Sequence, residues 1–198
     1  MTRFRKMAWF TLALNILVVI GGAVVKSTGS GAGCGEHWPI CNGEVIPRPQ
    51  QIETVIEFTH RATSGLALLA VGILVLWARR VTTPGSRVRR AAYWSAGFIV
   101  FESLLGAVLV LGGWTAIDVS WWRVVLQPIH FINTMILLAF LLLTAWWATD
   151  APPAEWRNHS NGFWWRFAAA AVLLMIVNGT GSIISLGDLL IRELGETS

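Results

Sequence analysis

The sequence predicts an all-α, multi-pass integral membrane protein, built as a four-helix transmembrane bundle with a fifth transmembrane helix. Three observations support this fold class. Hydrophobic residues make up 55% of the 198 residues and charged residues 13%, with a mean hydropathy of +0.59. A soluble domain of this length cannot bury so much apolar surface. Five apolar stretches approach the roughly 20 residues that a helix needs to cross a bilayer, and basic residues cluster on alternate connections between them.

The predicted spans cover residues 7–25, 54–77, 91–113, 124–148 and 163–186. Lysines and arginines precede the first span and are concentrated between the second and third, with further arginines between the fourth and fifth. The positive-inside rule therefore predicts a cell-membrane protein with a cytoplasmic N-terminus and an extracytoplasmic C-terminus. The net charge of +4 reflects this topology, so we expect membrane lipid and no nucleic acid as a partner.

The first apolar stretch has one alternative interpretation, a cleaved signal peptide, because it has a basic start and small residues at its end. Its apolar run is long for a signal peptide, which favours a retained span. The chain then divides into two regions. Residues 1–150 form a four-helix half with an extracytoplasmic cysteine loop at 26–53, and residues 151–198 form a cytoplasmic linker, the fifth helix and an outer tail.

The loop after the first span, "STGSGAGCGEHWPICNGEVIPRPQ", contains both cysteines of the chain, Cys34 and Cys41. On the oxidising side of a membrane such a pair favours a disulfide. Closing so short a loop stabilises a fold by about 2.5 kcal/mol in the chain-entropy model. His37 lies between the cysteines and permits a metal site instead, although a fourth ligand is not evident. Free or redox-active thiols are the third interpretation.

Two histidines are predicted at the same depth in the membrane. His60 follows the outer start of the second span by about six residues, and His130 follows that of the fourth span by about six as well. Both spans run from outside to inside, so the imidazoles lie roughly 9 Å below the outer boundary. Two imidazoles that face each other in a helical bundle can act as axial ligands of a haem iron. Proton handling and structural hydrogen bonding are the alternatives.

Three further ionisable residues accompany the histidines. Glu57 shares a helix face with His60 because the two are three residues apart. Arg61 can pair with a haem propionate at the outer rim or extend to lipid phosphate. Glu102, near the middle of the third span, is interpreted as a protonated carboxyl group hydrogen-bonded inside the bundle, with proton transfer as the alternative.

These motifs resemble the heme A synthases. The resemblance depends on "GGAVVKSTGSGAGCGEHWPICNGEVIP", then "IEFTHR" and "IHF", and it covers roughly the first 150 residues. It implies that His60 and His130 are the axial ligands of a haem site, that Glu57 is a catalytic carboxylate beside it, and that Cys34 and Cys41 form a loop pair near the entrance.

The resemblance also implies an activity and partners. Heme A synthases oxidise a methyl group of heme O to the formyl group of heme A, for haem–copper terminal oxidases. We therefore expect heme O as substrate, heme b as a further haem, an unidentified electron donor, and heme O synthase or terminal oxidase assembly proteins as partners. The alternatives are a non-catalytic haem-binding or electron-transfer module, and a haem-free assembly protein.

The chain departs from the family pattern after the fourth span. Family members resemble two fused four-helix halves, each with a histidine pair, whereas this chain ends after a fifth span. That span carries the polar residues Asn178, Ser182 and Ser185, which promote helix–helix association in membranes. The sequence therefore predicts a homodimer in which the fifth span contacts the other copy.

Overall fold

Four long helices form the part of the chain that the structure, a computed structural model, describes: residues 2–48, 51–115, 120–149 and scattered positions between 162 and 177. The helices are α1 (Thr2–Ser27), α2 (Ile52–Val81), α3 (Arg87–Leu111) and α4 (Trp121–Trp147), and a short 3₁₀ turn, Ser30–Ala32, follows α1. Each long helix has the length and composition to cross a membrane. The protein is therefore an all-α, multi-pass membrane protein.

Local sequence signals define the turn between α2 and α3. The hydroxyl of Ser86 accepts a hydrogen bond from the Arg89 amide at 3.3 Å, as an N-cap residue does at the start of a helix. Gly85, with φ 75°, supplies the left-handed conformation of the turn. The Arg89 guanidinium donates to the carbonyl groups of Arg79 and Thr82, and so satisfies acceptors at the end of α2.

The helices pack as a closed antiparallel bundle in which α1 contacts α2 and α4, and α3 contacts α2 and α4. Phe4 near the start of α1 lies edge-on to Trp77 near the end of α2, with ring centroids 6.3 Å apart. On the opposite side, Phe140 of α4 stacks on Trp94 and Phe98 of α3 at 5.9 and 5.5 Å. Such aromatic pairs contribute about 0.5–1.5 kcal/mol each beyond their buried area.

The apolar core is concentrated at one end of the bundle, where α2 ends and α3 begins. This arginine end carries Arg79, Arg80, Arg87, Arg89 and Arg90. The opposite end, where residues 28–51 connect α1 to α2, is the loop end. Buried apolar side chains from all four helices cluster toward the arginine end: Phe4, Ala8, Leu12, Ala67, Val71, Leu74, Ala78, Val88, Ala92, Ile99, Leu137, Leu141, Ala145 and Ala148.

The first four predicted spans are confirmed, and each extends a few residues beyond its apolar run at one or both ends, most at α1, which begins at Thr2, and at α2, which continues to Val81. At 1.5 Å per residue the helices are about 38–45 Å long, longer than the roughly 30 Å hydrocarbon core. Of the predicted fifth span at 163–186, the described positions up to 177 are helical and exposed. Its remaining positions, including Asn178, Ser182 and Ser185, lie outside the described residues.

Candidate functional site

Three polar residues of the loop-end half lie on the inward faces of their helices. His60 is in helical register with the buried residues Ala67, Val71, Leu74 and Ala78 of α2. His130 stands in the same relation to Leu137 and Leu141 of α4, and Glu102 to Ser95 and Leu109 of α3. Residues seven or eleven positions apart share a face of an α-helix. The fold therefore directs both imidazoles and one carboxyl group into the bundle.

The two histidines lie at similar distances from the loop ends of their helices. His60 is eight residues after Ile52, and His130 is nine residues after Trp121. Because α2 and α4 run in the same direction, these distances place both imidazoles about 12–14 Å along the helix axes. His60 and His130 are also close enough to interact electrostatically. The imidazoles of His60 and His130 thus face each other across the bundle.

His60 packs against two glycines of α1. A Cβ atom at Gly22 would lie 3.2 Å from Cε1 of the imidazole, and one at Gly21 would lie 3.4 Å from Nδ1. The backbone carbonyl of Val18 faces the ring as an acceptor. The Nδ1 atom of His60 is buried and has no hydrogen-bond partner among the described residues. The glycines therefore permit the close approach of the ring to α1.

His130 belongs to a polar cluster with Glu102, Asn133 and Thr134. Its Nε2 atom lies 3.5 Å from Oε1 of Glu102. Glu102 accepts hydrogen bonds from Asn133 Nδ2 at 2.5 Å and from the Thr134 hydroxyl, and Asn133 also donates to the carbonyl of Phe98 at 2.9 Å. Nδ1 of His130 is buried, and no described residue hydrogen-bonds to it. The carboxyl group of Glu102 thus accepts hydrogen bonds within the bundle.

Both imidazoles fit the role of axial haem ligands. A neutral imidazole that holds its proton on Nε2, toward a carbonyl or carboxylate oxygen, carries its lone pair on Nδ1. Metal-bound histidines use such second contacts to fix their tautomer and ring orientation. Each of two facing helices thus supplies a partly buried imidazole with a nitrogen that has no hydrogen-bond partner in the described part of the chain, and such a pair can ligate one haem iron. Among the described residues no group of three or more His, Cys, Asp or Glu could hold a metal ion by itself.

Glu57 connects α2 to the loop at the loop end. It is 3% exposed, and its Oε2 atom accepts the backbone N–H of Cys34 at 2.7 Å. Its Oε1 atom pairs with the guanidinium of Arg61, one turn further along α2. Both oxygens of the predicted catalytic carboxylate therefore have donors, and these donors come from the loop and from its own helix.

Arg61 completes this attachment. Besides its pairing with Glu57, it donates to the backbone carbonyl groups of His37 and Ile40, the latter at 3.0 Å. Its side chain is 12% exposed. The loop therefore folds back along more than two turns of α2, and its carbonyl groups are satisfied by a cation there. Exposed backbone acceptors would be costly near hydrocarbon.

The loop itself is closed by covalent and backbone contacts. A disulfide joins Cys34 to Cys41, whose Cα atoms are 4.4 Å apart. The carbonyl of Gly33 accepts hydrogen bonds from Thr54 at 2.8 Å and from Asn42 at 3.2 Å. A Cβ atom at Gly33 would lie 2.4 Å from the backbone carbonyl of Glu53, so only glycine allows this contact between loop and helix. The metal interpretation of the two cysteines is not what the structure shows.

The structure thus brings the sequence-predicted residues into two groups. His60 and His130 lie inside the bundle, and Glu57, Arg61 and the cysteine pair hold the loop. Sequence reasoning did not identify Asn133 and Thr134 as part of the site. Their signal was present, because they are polar residues in an apolar span, three and four positions after His130 on the same side of the helix.

Comparison with known proteins identifies the family. A match to the COX15-CtaA family, described as cytochrome oxidase assembly protein, covers residues 5–192. The chain therefore belongs to this family, which includes the heme A synthases. It is 39% identical over 144 residues to the heme A synthase of Geobacillus kaustophilus, covering 71% of this chain and 43% of that protein. It is 38% identical over 130 residues to the heme A synthase of Alkalihalophilus pseudofirmus, covering 65% of this chain and 41% of that protein.

A more similar relative carries another name. The protoheme IX farnesyltransferase of Thermus thermophilus is 51% identical over 189 residues, which cover 96% of this chain and 31% of that protein. The chain thus spans about a third of this relative and less than half of the heme A synthases. A segment like this one occurs in proteins of both names.

Proposed function

We propose that this chain is a heme A synthase or a shortened homologue of it, which oxidises the methyl group of heme O to the formyl group of heme A. One observation carries the proposal: His60 and His130 face each other with buried Nδ1 atoms to which no described residue hydrogen-bonds. Their position in a chain of this family supports it. Similarity to both heme A synthases and a farnesyltransferase indicates a role among haem-modifying proteins, and the histidine pair favours oxidation.

Each polar residue has a distinct part in this proposal. The imidazoles of His60 and His130 would bind the iron of heme O. Glu102 would orient the His130 ring through Nε2, the Val18 carbonyl would orient the His60 ring, and Asn133 and Thr134 orient Glu102. The bound haem supplies the iron and the methyl group that becomes oxidised. Heme b is the expected ligand where heme O is absent.

Glu57 is proposed to act beside this site. It lies one turn from His60, and a carboxylate there can accept a proton or stabilise positive charge near the haem edge. Its contacts with Arg61 and the Cys34 amide suggest a second contribution, which is to hold the loop over the site. Arg61 would then position this loop, because its N–H donors are directed to Glu57, His37 and Ile40.

The haem content of the purified protein tests the proposed function. Bound haem should be extracted and identified by its pyridine haemochrome spectrum, and heme O conversion should be assayed with the same preparation. Heme with a formyl or hydroxylated group supports the enzyme. Heme b alone, with no conversion of heme O, would instead support a non-catalytic haem-binding or electron-transfer module. A protein without haem would support a haem-free assembly protein.

The axial ligands are tested by substitution. His60→Ala and His130→Ala should each abolish the low-spin bis-imidazole spectrum, because each removes one of the two nitrogen ligands. His37→Ala is the matched control, since His37 is exposed in the loop and its backbone carbonyl, which contacts Arg61, is retained. A wild-type spectrum in either site variant would contradict the axial pair.

Topology and partners are proposed on the same basis. The arginine end is proposed to face the cytoplasm, with the N-terminus on that side and the C-terminus outside. The substrate would come from a heme O synthase, a proposal that the farnesyltransferase relative supports by its name. Delivery would go to terminal oxidase assembly. The electron donor is not identified by the site.

A homodimer is proposed through the fifth span. The described residues at 172–174 are exposed apolar side chains, and small or polar residues follow them in the sequence. Truncation after Ala148 should weaken a dimer detected by native mass spectrometry in mild detergent, while the His60–His130 site stays intact. A full-length chain that is monomeric and fully active would contradict the dimer.

A further inference from the structure

Two cations, Lys26 and Arg123, lie at the loop end of the bundle, on the side of the histidines away from the apolar core; Arg123 is buried and Lys26 is exposed. On α1, the buried residues Phe4, Ala8 and Asn15 define the inward face. Lys26 is in helical register with this face, because it is eleven residues after Asn15, but at the end of α1 its long side chain is exposed. It also lies one turn beyond Gly22, which contacts the imidazole of His60. Lys26 is therefore placed directly beyond the His60 contact along α1.

Arg123 occupies the corresponding position on α4. It is seven residues before His130, so the two share a helix face about two turns, or roughly 10 Å, apart. Leu137 and Leu141 mark the same face as buried. Arg123 itself is 6% exposed, although it lies in the first turn of a helix where a guanidinium could reach solvent. The fold therefore holds this cation toward the interior.

The two cations are close enough to act on each other electrostatically. Like charges that lie close together near a membrane interior repel each other. An anion bound between them offsets this unfavourable electrostatic energy. Arg123 has an interaction of its own within the protein, and its five N–H donors allow it to serve a second acceptor. Arg61, by contrast, already directs N–H donors to Glu57, His37 and Ile40.

We propose that Arg123 and Lys26 bind the two propionate carboxylates of the haem held between His60 and His130. Both cations lie on the loop-end side of the histidines, Arg123 about two helical turns from His130 and Lys26 about one turn beyond Gly22. The pairing matches two positive charges with two negative ones, and an arginine can bind a carboxylate with two parallel hydrogen bonds. The proposal rests on the proposed function, because it assumes haem at the histidine pair.

Binding of haem b and of its dimethyl ester to the full-length protein in detergent tests this assignment. The ester has no propionate charge but keeps the iron and the macrocycle. Wild-type protein should bind haem b more tightly than the ester, by about tenfold or more for each charge-assisted hydrogen bond that the ester cannot form. Arg123→Gln with Lys26→Gln should bind both ligands with similar affinity and keep the bis-imidazole spectrum.

Two controls separate this effect from general damage. Arg48→Gln removes a charge from the same end of the bundle at an exposed loop position, and it should retain the full preference for haem b. Arg123→Lys with Lys26→Arg keeps both charges and should retain most of the preference. If the glutamine variant misfolds, Arg123→His with Lys26→His replaces it. Binding is then measured above pH 8, where the introduced imidazoles are neutral, and this variant should show no preference for haem b over the ester.

The outcomes distinguish this proposal from the proposed function. If wild-type protein binds neither ligand, both fail together. If haem binding depends on His60 and His130 but the glutamine variant still prefers haem b to the ester by the wild-type factor, the histidine site stands and the cation assignment is overturned. Loss of the preference only in the glutamine variant supports the assignment.

Discussion

The two ends of the bundle are built from different residues, although they belong to the same four helices. Toward the arginine end, the inward positions are occupied by apolar side chains that pack closely, such as Val71, Leu74 and Leu141. Toward the loop end, the same helix faces carry His60, Glu102 and His130. The apolar cluster holds the helices together, and the polar positions leave atoms available for a ligand.

The difference follows from the cost of polar groups in hydrocarbon. Ionisable side chains inside a membrane are unfavourable unless they are paired or used. Glu102 is paired with Asn133 and Thr134, whereas each histidine keeps one nitrogen atom without a partner in the described part of the bundle. A fold can retain such atoms only when another part of it supplies stability. Substitutions at the two ends should therefore affect different measurements.

The largest expected effect is the loss of turnover when Glu57 is substituted. Glu57→Gln removes the charge that pairs with Arg61 but keeps an oxygen that can accept the Cys34 amide. We expect haem to stay bound and conversion of heme O to stop. The measurement is single-turnover conversion of heme O, together with the haem spectrum.

Arg61→Gln is the matched variant, because it breaks the same ion pair and leaves the Glu57 carboxyl group in place. An acid–base role predicts that Arg61→Gln keeps some turnover, whereas a purely anchoring role predicts equal losses in both variants. Full conversion of heme O by Glu57→Gln would exclude Glu57 from the mechanism.

Substitutions in the apolar cluster at the arginine end should lower the free energy of unfolding. Leu141 is fully buried in the apolar cluster, and Leu141→Ala should lower the free energy of unfolding by about 2–5 kcal/mol through the cavity it creates. The spectrum of the haem-bound protein should be unchanged. Leu142→Ala is the control, because Leu142 is 45% exposed and should cost much less. Denaturant unfolding in detergent measures both, and equal losses would contradict the packing difference.

The loop-end disulfide should contribute less than the core and independently of it. Cys34→Ser with Cys41→Ser should reduce stability by about 2.5 kcal/mol in the chain-entropy model, with loosening centred on residues 33–44. Intact mass should show two hydrogens fewer than the dithiol in wild-type protein. Thiol labelling of the native chain without a reductant would argue against the bridge.

Helical periodicity explains how much of this arrangement could be predicted from sequence. The four spans follow from apolar length, and their ends differ because α2 continues past Trp77 into a basic segment that lies beyond the hydrocarbon. The depth of His60 and His130 follows from residue counting along two parallel helices. The surroundings of the two rings do not, because these depend on Gly21 and Gly22 of α1 and on Glu102 of α3.

The loop contacts were beyond prediction for a different reason. Its spacing from His60 indicates Glu57, and its place at the outer rim indicates Arg61, but their loop partners lie more than 20 positions away, at the amide of Cys34 and the carbonyl of Ile40. Backbone groups carry no sequence signal. How a glycine-rich loop folds back on a helix is decided by tertiary contacts, which no pattern in residues 28–51 encodes. The catalytic role of Glu57 therefore stays a prediction.

The smallest loss of stability is expected for substitutions of Glu102. Glu102→Leu would leave Asn133 Nδ2 with only the Phe98 carbonyl and the Thr134 hydroxyl with only the His130 carbonyl as acceptors among the described residues. We expect a loss of about 1–3 kcal/mol from partly unsatisfied polar groups. Glu102→Gln keeps an acceptor oxygen in the same place and should lose less.

The haem-bound spectrum gives the second measurement at this residue. Glu102 faces Nε2 of His130, so its loss should free the ring to rotate and alter the electron paramagnetic resonance g-values of the low-spin iron, which report ligand orientation. Glu102→Gln should shift them less than Glu102→Leu. Ser103→Ala is the control, because the Ser103 hydroxyl donates within its own helix, to the carbonyl of Ile99. Identical g-values in wild type and Glu102→Leu would show that Glu102 stabilises the bundle without orienting His130.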